Sequence, residues 1–112
     1  FGMTISELST AVQYNINTIT IVMNNNSWGA EKSYQRDFYE NRYIGADIDS
    51  PPFAKIAELY GAKGIHIEKI NELKDAIYSA LNCNKPTIIN VKIDPNAIYS
   101  FRRDSFKHRL KS

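Results

Sequence analysis

Apolar residues recur along this chain with two different periods. Ile5, Leu8, Ala11 and Val12 share one face at helical spacing, and Thr4-Ile5-Ser6-Glu7 just ahead of them reads as a capping box. Met3 and Leu8 stand at the positions of a hydrophobic staple, and the helix is expected to end near Tyr14-Asn15. Residues 18–23, TITIVM, form a β-branched run too short for a helix, which predicts a buried strand. Ser50-Pro51-Pro52 opens a second helix, with Ser50 as cap and proline in the first turn. Its stripe is Phe53, Ile56, Ala57 and Tyr60, and Gly61 ends it. Residues 64–68 alternate as a short strand. Asn71 then caps a third helix, whose Leu73, Ala76, Ile77, Ala80 and Leu81 share a face. After the stop at Asn82-Cys83-Asn84, residues 86–93 read as another strand, closed by Asp94-Pro95.

The segments between these elements are polar. Residues 24–29, NNNSWG, form a loop. Residues 30–43 admit a short helix with Tyr34, Phe38 and Tyr39 on one side, and residues 45–50 form an acidic loop. Strands separated by helices of about ten residues predict an α/β domain, a three-layer parallel sheet with helices on both faces. The first helix has no strand before it, although such helices normally cross over between two strands. The chain, which begins Phe1-Gly2-Met3, therefore reads as the latter part of a larger domain over residues 1–95, followed by a tail over 96–112.

Composition changes this picture little. The chain has 112 residues, is 43% hydrophobic and carries a formal net charge of +2, which fits one globular domain and gives no reason to expect a nucleic-acid partner. No apolar run is long enough to span a membrane, and the start lacks the pattern of a signal peptide. The lone Cys83 excludes an internal disulfide and suits a reducing, cytoplasmic setting; without a nearby activating group it reads as structural. The charge is uneven. Arg102, Arg103, Lys107, Arg109 and Lys111 face Asp104 alone in the last twelve residues, so the tail holds all of the positive excess. That segment is either a solvated terminus or a surface for an anion or partner.

Chemistry is expected in the loop after the first strand, because open parallel sheets bind ligands beyond the carboxyl ends of their strands. Asn24, Asn25 and Asn26 offer neutral oxygens suited to a hard cation such as magnesium, and Gly29 allows close backbone approach. With 11 Asn in the chain, a short run is also compatible with mere composition. His66 within a strand reads as a packed or edge histidine, and His108 as solvated.

The order Phe1-Gly2-Met3, helix, apolar strand, Asn24-Asn25 resembles the second half of the thiamine-diphosphate-binding motif, whose opening Gly-Asp-Gly would lie immediately before Phe1. The resemblance implies that Asn25 supplies a side-chain ligand and Ser27 a backbone carbonyl to a magnesium ion bridging the cofactor diphosphate. It also implies that Trp28, Gly29 and Ala30 pass the diphosphate, and that Phe1 and Gly2 sit at a helix N-terminus facing phosphate. Residues 35–39, 52–62 and 87–94 resemble acetolactate-synthase-like enzymes, while Trp28-Gly29-Ala30-Glu31-Lys32 and Phe101-Arg102-Arg103-Asp104 resemble the sulfoacetaldehyde acetyltransferase branch of that family.

The implied reaction converts sulfoacetaldehyde and phosphate to acetyl phosphate and sulfite. The implied assembly is a homodimer or homotetramer with the cofactor between subunits. The activating glutamate is implied to lie in another domain, so no catalytic residue is assigned among Glu7, Glu31 and Glu40, and the fragment alone is expected to be inactive. Candidates for substrate choice are Glu31, Lys32, Tyr34, Arg102 and Arg103. Each has an ordinary alternative: an exposed ion pair for Glu31 and Lys32, core packing for Tyr34, surface or subunit contact for the arginines. Another carboligase or decarboxylase of the same superfamily, and a non-catalytic α/β binding or assembly domain, are the competing functions.

Overall fold

A computed structural model describes residues 1–99. Its elements are a 3-10 turn over Gly2–Glu7 that continues into α1 (Leu8–Gln13), then β1 (Ile19–Asn24), α2 (Gly29–Phe38), α3 (Phe53–Leu59), β2 (Lys63–Ile67), a short 3-10 turn over Ile70–Glu72 leading into α4 (Leu73–Leu81), and β3 (Thr87–Lys92). The chain divides into two compact units, one of Phe1–Asn24 with Pro51–Ile93 and one of Asn25–Ser50 with the segment from Asp94 on.

The first unit holds the sheet. Its strands lie in the order β1-β3-β2 and all pairs are parallel, with Ile21 and Ile65 both level with Ile89. The last strand in sequence is thus central, and Thr87 through Val91 are all buried. Successive side chains of β3 point to opposite faces. Ile88 joins Leu8, Val22, Phe53 and Ala57 under α1 and α3. Ile89 and Val91 join Ile67, Ala76 and Ala80 under α4. A strand buried on both sides suits a mostly apolar run, here Ile88, Ile89 and Val91 with Thr87 and Asn90 buried beside them, and this is the three-layer arrangement expected from the sequence.

Helix ends differ from the sequence reading. Thr4 does not cap: its hydroxyl donates to the Phe1 carbonyl at 3.2 Å, beside the Thr4 N–H on the same oxygen at 2.9 Å. The first turn is 3-10, whose i to i+3 bonds occupy the groups a capping box would use. Met3 is exposed and packs no staple, whereas Leu8 is buried. Pro52, not Ser50, precedes α3, with no side-chain cap. Glu72, not Asn71, precedes α4 and makes no side-chain cap there; its Oε2 reaches back over the preceding 3-10 turn to accept the N–H groups of Glu68 and Lys69, each at 3.0 Å. Gly61 does end its helix, in the left-handed region at φ +87. Among the described residues no helix is long and apolar enough to cross a membrane.

The second unit contains α2 and the loops around it. Arg36 grips Asp37 through Nε at 2.8 Å and donates from Nη1 to the Ile98 carbonyl at 3.0 Å, which ties α2 to the segment after Pro95. Asp37 in turn holds the Arg36 guanidinium above its ordinary pKa.

Candidate functional site

The loop from Asn25 to Ala30 leaves the carboxyl end of β1, and local hydrogen bonding explains its sequence. Asn25 Oδ1 accepts the Ser27 N–H at 3.1 Å, closing an Asx turn. Ser27 Oγ donates back to the Asn25 carbonyl at 3.2 Å. Asn26 between them has φ +51, a left-handed conformation that asparagine tolerates better than most residues. Asn15, Asn41 and Asn84 also have positive φ, so the abundance of asparagine has a backbone cause at several turns. Gly29 opens α2, and a Cβ there would stand 3.1 Å from Asn25 Nδ2, tighter than an ordinary contact.

A partner segment fixes this loop. Trp28 N–H donates to the Ala46 carbonyl at 2.8 Å, and Ile48 N–H to the Asn26 carbonyl at 3.0 Å. Ser27 and Asp47 therefore face each other in an isolated antiparallel bridge. In that pattern the flanking residues supply the bonds, so the N–H and C=O of Ser27 turn away from the 46–48 segment. The Asp47 side chain closes the other side, with Oδ1 accepting Lys32 Nζ at 2.6 Å and Ser27 Oγ at 3.4 Å. Lys32 also lies over the Tyr43 ring, 5.6 Å from its centroid. The Lys32 hydrogen bond holds the Asp47 carboxyl below its ordinary pKa.

The expected residues thus separate into groups. Asn25, Ser27, Trp28, Gly29 and Ala30 form one continuous turn into α2, with Glu31 exposed in its first turn. Lys32 is engaged by Asp47 and Tyr43. Tyr34 packs in an aromatic group, with ring centroids 4.8 Å from Phe38 and 6.1 Å from Tyr39. Phe1 and Gly2 belong to the other unit. There Phe1 meets Phe53 edge-on at 5.3 Å and borders a cavity of about 400 Å³ with Thr4, Leu8, Thr18 and Thr20. Arg102 and Arg103 lie outside the described residues.

Sequence reasoning missed Asp47 and Tyr43, because no periodicity links them to a loop some twenty residues earlier. It also missed the His66 chain. His66 Nδ1 meets Asn90 Nδ2 at 2.8 Å, His66 Nε2 meets Glu68 Oε1 at 2.8 Å, and Lys92 Nζ donates to Glu68 Oε2 at 2.9 Å. Asn90 Oδ1 is buried without a partner. Among the described residues no group of three or more His, Cys, Asp or Glu could hold a metal.

In a parallel α/β sheet the polar turn after β1 stands where such domains bind ligands, beyond the carboxyl end of a strand. Residues 1–91 match the family described as thiamine pyrophosphate enzyme, C-terminal TPP binding domain, and the chain belongs to that family. Among its relatives, a sulfoacetaldehyde acetyltransferase of Castellaniella defragrans is 37% identical over 99% of this chain and 19% of the relative. A probable acetolactate synthase large subunit of Methanococcus aeolicus is 35% identical over 89% of this chain and 17% of its own length. Among solved structures, the thiamine diphosphate-dependent 4-hydroxybenzoylformate decarboxylase of Rhodococcus jostii RHA1 superposes with a TM-score of 0.76 at 29% identity, over 83% of this chain and 18% of that one. The chain spans about a fifth of the length of such relatives.

Proposed function

We propose that this chain is the latter part of the cofactor domain of a magnesium- and thiamine-diphosphate-dependent acyltransferase, one that converts sulfoacetaldehyde and phosphate to acetyl phosphate and sulfite. The observation that carries the reading is the turn in which Asn25 Oδ1 and the Ser27 backbone meet at 3.1 Å. Two neutral oxygens, the Asn25 carboxamide and the Ser27 carbonyl, suit magnesium, which is usually completed by phosphate oxygens and water. The tight approach of Gly29 to Asn25 suits the same purpose, because a side chain at 29 would crowd the ligand.

In this reading Asn25 and Ser27 hold the metal, while Trp28, Gly29 and Ala30 border the diphosphate. Phe1 and Gly2 stand at the start of the first helical turn, whose free N–H groups favour phosphate. When bound, thiamine diphosphate supplies the carbon nucleophile of the reaction. Its activating glutamate comes from outside this chain. Glu31, Arg102 and Arg103 remain the candidates for substrate choice, whereas the engagement of Lys32 and the stacking of Tyr34 favour supporting roles for those two. The working protein would be a cytoplasmic homodimer or homotetramer.

Acetolactate synthesis is the second reading, favoured by the 35% identity to the Methanococcus aeolicus relative. Assaying the protein with its upstream part separates the two. Acetyl phosphate and sulfite formed from sulfoacetaldehyde and phosphate support the first, acetolactate formed from pyruvate supports the second, and failure to bind thiamine diphosphate at any magnesium concentration rejects both.

A further inference from the structure

Asp47 connects three parts of the second unit. Its backbone lies opposite Ser27 in the antiparallel bridge, its carboxylate accepts Ser27 Oγ at 3.4 Å, and the same oxygen accepts Lys32 Nζ at 2.6 Å. Lys32 lies one turn into α2, where its N–H donates to the Trp28 carbonyl at 2.8 Å. The Lys32 side chain is only 11% exposed, against 69% for Asp47. A long side chain packed along its stem is fixed at its tip by a counter-charge, and a mostly exposed carboxylate can supply one with little desolvation of its own. The Tyr43 face, 5.6 Å from the same ammonium, cannot replace a full charge. Without the carboxylate, the first turn of α2 loses its side-chain tie to the 46–48 segment and is left with the backbone bonds of Trp28 and Asn26.

We infer that Asp47 is a positioning residue for the metal loop: it holds Ser27 and the first turn of α2 in the shape that receives magnesium and the diphosphate. This rests on the function proposed above. A loop already held in its binding shape loses less conformational freedom when the ligand arrives, so loosening it weakens binding without removing any ligand atom. Asp47 itself is not assigned to the metal, because its carboxylate is committed to Lys32 and to the side chain, not the carbonyl, of Ser27.

The test is equilibrium dialysis of thiamine diphosphate over a magnesium series, using the protein with its upstream part. The thermal midpoint of the metal-free protein is recorded for each variant. Asp47→Asn is expected to raise the half-saturating magnesium concentration about fivefold, and Asp47→Glu to restore most of the wild-type value. A wild-type half-saturation in Asp47→Asn overturns the inference, whether or not the thermal midpoint falls, because that pattern describes a purely structural residue. If Asp47→Asn does not fold, Lys32→Met removes the other end of the same pair and carries the same expectation. Wild-type protein that retains no thiamine diphosphate at any magnesium concentration overturns the site itself, and the inference with it. That failure is distinct, because it appears before any variant is compared.

Discussion

Gly64 of β2 lies directly beneath the carbonyl of Ala54 in α3, so close that a Cβ at 64 would collide with that oxygen and with two further backbone atoms of Ala54. Backbone cannot turn aside as a long side chain can, so α3 would have to lift from the sheet. Gly64→Ala is expected to destabilise the domain by about 1–3 kcal/mol, seen as a lower urea midpoint with an unchanged slope. An unchanged midpoint would mean that α3 does not rest on β2.

Core and surface leucine-like side chains should differ sharply. Ile89 is fully buried in the central strand, whereas Leu59 at the end of α3 is 87% exposed. Ile89→Ala is expected to cost about 2–5 kcal/mol, and Leu59→Ala no more than about 0.5 kcal/mol. Chemical denaturation of the two variants side by side checks this, and comparable losses would contradict the layer arrangement.

Two exposed carboxylates set an acid limit. Lys92 foremost, and then His66, hold Glu68 below its ordinary pKa through hydrogen bonds, and the bond from Lys32 does the same for Asp47. Each depressed group contributes stability that is present above its unfolded value, near pH 4, and lost as pH falls through the lower folded value. The urea midpoint should therefore drop between about pH 4.5 and pH 3. In Lys92→Met the drop should be shallower, since part of the Glu68 contribution is gone at every pH. An equally steep drop in that variant would remove Glu68 from the account.

Within the proposed metal site, Asn25→Ala deletes a ligand oxygen and the acceptor of the Ser27 N–H together. Thiamine diphosphate binding at limiting magnesium is expected to weaken roughly tenfold or more. Asn26 offers the contrast. At φ +51 its requirement is conformational, so Asn26→Gly should keep cofactor affinity while Asn26→Val, β-branched in a left-handed position, should lose about 1–2 kcal/mol of stability. Dialysis and denaturation measured on all three variants separate the two roles.

The strands and most of the helix faces were legible because they are written in local patterns, TITIVM for β1, TIINVK for β3 and the stripes of α3 and α4, although β1, expected to be buried, lies at an edge of the described sheet with Ile21 and Met23 exposed, and Leu81 of the α4 stripe is exposed. Caps were not, because several polar groups compete within one turn and geometry selects among them. Thr4 gave its hydroxyl to Phe1, and α4 starts after Glu72 without a side-chain cap where Asn71 was expected to supply one. The proposed site was half legible. The Asn24-Asn25-Asn26 loop follows from its position after a strand, and Ser27 only from the family resemblance, but Asp47 acts through a pairing twenty residues away, and a single non-local bridge leaves no period in the sequence. The resemblance of the 28–32 run pointed to Lys32 as a pocket residue, and only the position of Asp47 shows what occupies its charge.

The order β1-β3-β2 also carries a consequence for assembly in time. Among the described residues β1 and β2 make no pairing with each other, and each is bonded to β3 alone. During synthesis from the N-terminus, neither of these two strands has its β3 partner until residues 87–92 have emerged, and the closure of this three-stranded unit waits on its final strand. A chain stopped before Thr87 would leave β1 and β2 each without the strand that joins them, so premature termination in this region should produce aggregation-prone material rather than a smaller folded unit.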